Sequence, residues 1–185
     1  PGDIITLGPG VFAGGFSITT PGITILGTEG TIIEGGLPGI AIHADDVTLK
    51  DFTMACGVDA TGIYLQHDSL PLNNVTLEGL EVTQCKTGIE VATPVTNIKL
   101  LNNWIHANTG DGLLFQKPAS VTGDTTVIKG NLFKVNGGYG IQNLNSRTVD
   151  ARYNSWGATT AAGGDKVKGK VNVANPTYAE VFLDV

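Results

Sequence analysis

The sequence predicts an all-β chain, a single-domain right-handed parallel β-helix whose solenoid has about six rungs of three short strands. Three observations lead there. Short apolar motifs recur at intervals of 23 to 28 residues, and the alternation inside each motif has the period of a strand, two, and not that of a helix. Gly, at 26 of 185 residues about twice its ordinary share, falls at fixed places in the repeat.

The first strand of each rung is read from Gly22-Ile23-Thr24-Ile25-Leu26, Asp46-Val47-Thr48-Leu49-Lys50, Asn74-Val75-Thr76-Leu77-Glu78, Asn97-Ile98-Lys99-Leu100-Leu101 and Thr125-Thr126-Val127-Ile128-Lys129, with a weaker copy at Thr148–Arg152. Their central residues Ile25, Leu49, Leu77, Leu100, Ile128 and Ala151 form one inward column. A second set begins with Gly39, Gly62, Gly88, Gly112 and Gly140 and places Ile40, Ile63, Ile89, Leu113 and Ile141 inward. A third set follows the first by three residues and turns Met54, Val82, Ile105, Phe133 and Trp156 inward. The glycines read as corner positions, where a positive φ or a close backbone approach excludes a side chain. Asn103, Asn131 and Asn154 stack at another corner and read as a ladder satisfying buried turn amides. Residues 1–21 form the first rung, 22–157 the regular rungs and 158–185 a C-terminal rung or cap.

The formal charge of -6 arises from 17 acidic and 11 basic residues with no basic cluster, which argues against nucleic acid as a partner. No apolar run approaches the ~18 residues needed to cross a bilayer, so no membrane insertion is expected.

Catalysis on such a scaffold needs paired carboxylates, or a base beside a cation held by carboxylates, on outward columns of neighbouring rungs. The second sheet offers Glu90 alone, beside Tyr64. The first sheet offers one acid and base cluster, Asp150 with Lys129 and Arg152, which reads more simply as a surface ion-pair ladder. These four are weak catalytic candidates. The third sheet turns Trp104 and Leu132 outward, and with Tyr64 these read as contacts for a sugar ring or a partner, unless the 118–124 excursion covers them. His43, His67 and His106 fall in different units, so no metal centre is expected. The turns at His43–Asp46 and Asn108–Gly112 are rich in Asp and Asn but lack a calcium-loop spacing, leaving Ca²⁺ a weak expectation and no other cofactor. Cys56 and Cys85 follow their third-sheet strands on adjacent rungs, within reach of a disulfide, and either a bonded pair or two buried thiols fits the spacing.

The opening, Pro1-Gly2-Asp3-Ile4-Ile5-Thr6-Leu7-Gly8-Pro9-Gly10-Val11-Phe12, resembles the first rung of pectate-lyase-like β-helix proteins. The following rungs resemble the parallel β-helix repeats of the NosD-like copper-maturation group and of surface-layer-associated proteins. The tail, Asp150–Gly157 with Gly163–Val173, is similar to the last rung of those surface proteins. The resemblance spans the chain and implies an extracellular or cell-surface domain of a larger secreted protein. Its implied role is non-catalytic and structural or adhesive, in a surface layer or a filament, with contacts to other subunits, neighbouring domains or glycans. A polysaccharide lyase or glycoside hydrolase, and a glycan-binding module, are the alternatives. Members of the group usually begin with an amphipathic capping helix, and nothing precedes Pro1 here, so either that cap lies outside this segment or another chain covers this end; an uncovered end is an edge that invites end-to-end stacking, lateral packing or contact with a neighbouring domain.

Overall fold

A computed structural model describes residues 2–57, 59–67, 71–117, 121–122, 126–158 and 164–177. It is a parallel β-solenoid with no helix among them. The first sheet stacks Ile4–Thr6, Thr24–Leu26, Thr48–Lys50, Thr76–Glu78, Lys99–Leu101 and Val127–Lys129. The third sheet, next along each rung, stacks Gly10–Ala13, Thr31–Glu34, Thr53–Ala55, Glu81–Thr83, Trp104–His106 and Leu132–Lys134. The second sheet closes the coil with seven strands, from Phe16–Ile18 to Val167–Lys168. Equivalent residues pair in parallel register, as in Thr76 with Thr48 and Lys99, so the inward columns expected from the repeat run continuously through these sheets.

Alternation fixes which face is buried. Ile40, Ile63, Ile89, Leu113 and Ile141 are fully buried, as are Met54, Val82, Ile105, Phe133 and Trp156. Phe133 and Trp156 stack with ring centroids 5.1 Å apart and finish the core toward the last rungs.

Two departures from the expected plan stand out. Leu72–Asn73, Val95–Thr96 and Val121–Thr122 form a short fourth sheet, a feature that two-residue strands leave invisible in the repeat. Val149–Asp150 leaves the first sheet and pairs instead with Val171–Asn172.

Corners use two different devices. Between the first and third sheets one residue per rung is left-handed: Asp51, Gly79, Asn102, Gly130 and Tyr153 all have φ between 54° and 71°. The residue after each turns inward, giving the column Phe52, Leu80, Asn103, Asn131, Asn154, all buried. Its polar half is the expected ladder. Asn103 Oδ1 accepts from the Leu80 amide at 3.0 Å, Asn131 Oδ1 from the Asn103 amide at 2.9 Å, and Asn154 Oδ1 from the Asn131 amide at 2.9 Å. Each side-chain amide also donates to a first-strand carbonyl, of Leu77, Leu100 and Ile128 respectively.

The next corner, between the third and second sheets, carries a second ladder. Asn108 Oδ1 accepts from the Cys85 amide, Asn136 Oδ1 from the Asn108 amide, and the Asp165 carboxylate from both the backbone and side-chain amides of Asn136. Burial raises the Asp165 pKa, against the hydrogen bonds from Asn136. Toward the first rungs the same column ends in a Cys56–Cys85 disulfide. Both cysteines are buried and closed into one loop across 29 residues, which corresponds to about 3–4 kcal/mol of unfolded-state entropy.

Candidate functional site

The candidate residues on the first and second sheets are engaged within the rungs. Glu90 Oε2 accepts from Thr61 Oγ1 at 3.0 Å and its Oε1 from Gln116 Nε2 at 2.8 Å, so both oxygens are held along the second sheet. Tyr64 lies in register beside Glu90, and burial followed by the Glu90 charge raises its hydroxyl pKa. Asp150 takes a forked contact from Arg152, Nε to Oδ1 at 2.9 Å and Nη2 to Oδ2 at 2.7 Å, which lowers its pKa. Lys129 instead sits over the Tyr153 ring, 5.3 Å from its centroid. The expected cluster is therefore an Asp150–Arg152 pair next to a cation-π contact, since the strand carrying Asp150 has left the first sheet.

Leu132 offers little surface for an outward contact: it is 7% exposed, flanked in register by Trp104 on one rung and Ser155 on the next. The candidate calcium turns are likewise occupied by protein donors. Asp45 accepts from Asn73, Asp46 from Asn74, and Asp111 from the Tyr139 amide at 2.7 Å. Among the described residues no group of three or more His, Cys, Asp or Glu converges on a metal position.

Trp104 does open onto a site. A groove of about 490 Å³ follows the corner between the first and third sheets, lined by Thr28–Thr31, Asp51–Thr53, Gly79–Glu81, Asn102 and Trp104. It spans four successive rungs, about 14 Å along the axis at the spacing of paired strands.

Its wall is the Thr28–Gly30 loop, three residues that the later rungs lack between equivalent pairs: Leu26 aligns with Lys50 and Ile32 with Thr53. The loop is fixed to the first rung. Thr28 Oγ1 donates to the Leu7 carbonyl at 3.2 Å, Thr31 Oγ1 to the Gly8 carbonyl at 2.8 Å, and Thr31 Oγ1 accepts from the Thr28 amide. Of the 118–124 excursion only Val121–Thr122 is described, and these pair with Val95–Thr96 in the fourth sheet; whether the excursion covers Trp104 lies outside the described residues.

At the far end the indole of Trp104 is half-buried. His106, two residues on along the strand, stacks on it at 3.8 Å between centroids and 19° between planes. The groove's lining takes in Asn102 and Trp104 but not His106. Trp104 Nε1 is buried with no hydrogen-bond partner among the described residues, so the part of the indole that lines the groove is apolar. His106 Nε2 also meets Glu81 Oε1 at 2.9 Å, while Thr53 Oγ1 donates to Glu81 Oε2 at 2.8 Å. These bonds, the histidine's first, hold Glu81 below the usual carboxylate range despite burial.

Glu81 thus positions His106, and His106 positions Trp104. Asp51 lies at the corner, exposed, with its pKa raised by local burial against the pull of Lys50. With Glu29 these make three carboxylates lining the groove, and among the described residues no Lys or Arg lines it.

Sequence reasoning found Trp104 but missed its setting. The available signal was the i, i+2 pair Trp104 and His106 on one outward face, with Glu81 on the rung before.

A family model described as a right-handed beta helix region matches residues 8–155, and the chain belongs to that family. Searches of curated proteins and of solved structures find no match.

Proposed function

We propose that this chain is a non-catalytic β-helix domain working outside the cytoplasm, and that it contacts glycans through the Trp104 groove. The observation that carries the reading is the pre-built groove itself, with an indole stacked on His106, which Glu81 holds in turn, at one end and a pinned loop at the other. An aromatic plate stacks on the C–H face of a sugar ring, while fixed Asn and carboxylate groups take its hydroxyls. Three carboxylates without a cation favour neutral or amino sugars over uronic acids. The disulfide supports an oxidising compartment, and the rigid, fully laddered rungs suit display at a cell surface.

The test is retention on immobilised polysaccharides. Neutral or amino-sugar polymers should retain the chain and pectin or alginate should not, and Trp104→Ala should abolish retention with circular dichroism unchanged. Equal retention of Trp104→Ala overturns the assignment of the groove.

A second reading, a glycoside hydrolase, is favoured by one observation: Asp51 and Glu81 line the same groove with pKa values displaced in opposite directions. It is the weaker of the two, because both oxygens of Glu81 are already engaged and a general base needs one free. Appearance of new reducing ends on incubation with a retained polymer, lost in Asp51→Asn, establishes it in place of the binding role.

A further inference from the structure

Resting on the reading of the groove as a glycan site, we infer that its ligand is a linear amino-sugar oligomer with free, protonated amines, laid along the solenoid axis, and that Asp51 is the residue that selects the ammonium group.

The rungs set the length. The corner residues Asp51, Gly79 and Asn102 belong to three successive rungs, and the Glu29 loop stands on the rung before them. Two rungs therefore separate Asp51 from Asn102 and Trp104, about 10 Å at the spacing of paired strands. One residue of an extended 1,4-linked pyranose chain advances by about as much as one rung. A ring stacked on Trp104 thus places the second ring beyond it at Asp51 and the third at the Glu29 loop, so that a tetramer fills the groove.

The charge follows from which polar groups are already engaged. His106 and Thr53 take both oxygens of Glu81, and Thr28 and Thr31 are bonded to the first rung. Glu29, Asp51 and Asn102 are exposed, and among the described residues their side chains have no hydrogen-bond or ion-pair partner. Lys50, the chain neighbour of Asp51, pairs with Glu78 at 3.3 Å. Gly79 leaves the Asp51 carboxylate its place, because a Cβ built on that glycine would overlap Asp51 Oδ1. An apolar plate at one end and two unengaged carboxylates two and three rungs away match a chain that stacks by its ring and carries ammonium groups. Charge-assisted bonds to those groups are stronger than bonds to hydroxyl or N-acetyl groups. A Lys-rich peptide carries the same charge, but its backbone finds no strand edge here. The amides of Asp51, Gly79 and Asn102 already donate to carbonyls of the next rung.

The experiment is calorimetric titration of the full chain with glucosamine oligomers of increasing length, their N-acetylated counterparts and oligolysine, at a pH where the sugar amines are protonated. The deacetylated tetramer should bind at least roughly tenfold more tightly than the acetylated one at ~50 mM salt, and the gap should narrow at ~500 mM. Affinity should climb up to the tetramer and then level off. Asp51→Asn should close the gap while leaving the acetylated tetramer bound as in the parent, and Trp104→Ala should weaken both. Equal binding of the two forms by the parent, or an Asp51→Asn variant that weakens both alike, overturns the inference and leaves the glycan reading standing. Affinity that levels off at the dimer, or oligolysine bound as tightly as the tetramer, overturns it as well. A folded chain that binds no oligomer overturns the inference and the glycan reading together.

Discussion

Replacing Asn131 by leucine is expected to destabilise the solenoid by about 3–4 kcal/mol. Volume is not the cause, because the same column holds Leu80 two rungs earlier. The cost is polar. Asn131 Oδ1 accepts from both the backbone and side-chain amides of Asn103, and its own Nδ2 donates to the Leu100 carbonyl and to Asn154 Oδ1. Leucine leaves the fully buried Asn103 amide without an acceptor and breaks the chain of amides at its middle member. Urea unfolding of the variant beside the parent measures the loss.

Asn131→Asp separates the donor from the acceptor roles. The carboxylate still accepts from Asn103 but repels Asn154 Oδ1 and cannot donate to Leu100. Its folded pKa is then raised above its unfolded value. Stability is retained below the unfolded pKa and lost as pH rises through the folded one, so this variant should approach the parent in acid and fall away from it at neutral pH.

The second large effect is expected at the stacked glycines. A Cβ on Gly112 lies 2.8 Å from the Gly140 carbonyl oxygen, 3.0 Å from Asn136 Nδ2 and 3.2 Å from Ile105 Cγ2. Gly88 repeats the arrangement against Gly112 and Asn108. None of these can move without disturbing the rung spacing, the second ladder or the core, so Gly112→Ala should lose about 3 kcal/mol. Gly112 does not have a positive φ, so the loss is steric rather than torsional. Gly57 is the reverse case, with φ of 70° and open space around its Cα. Gly57→Asn should change stability by under about 0.5 kcal/mol, since Asn tolerates the left-handed region. Thermal melts of the two variants side by side distinguish close approach from turn conformation as the reason for glycine.

That contrast sharpens what the repeat conveyed. The spacing of Gly39, Gly62, Gly88, Gly112 and Gly140 located one column of the coil, but position alone left both reasons for glycine open, and only the stacked carbonyls decide between them. The inward columns were fully legible because alternation and period act together on every rung. Asn103, Asn131 and Asn154 were legible for the same cause.

The second ladder was half legible. Cys85, Asn108 and Asn136 each follow an inward third-sheet residue, Val82, Ile105 and Phe133, by three positions, which is a readable signal. Asp165 was hidden, because it arrives after an interval that breaks the period. The state of the cysteines depended on whether two side chains one rung apart point at each other, which spacing does not fix.

The groove was the least legible feature. It is made by a three-residue excess that the later rungs lack, by corner residues of those rungs and by one indole, and so follows no column. Leu132 misled for a related reason: it lies in register with the outward Trp104, yet it is only 7% exposed. Alternation assigns a direction to a side chain, and exposure then depends on what stands beside it.

The most direct test of the central claim uses the two tryptophans as unequal reporters. Trp156 is fully buried against Phe133, whereas Trp104 lines the groove. Titration with neutral and amino-sugar oligosaccharides should produce a saturable change in tryptophan emission that disappears in Trp104→Ala, with the oligosaccharide recovered uncleaved. A folded chain whose emission answers to no glycan, or answers equally after Trp104→Ala, contradicts the account.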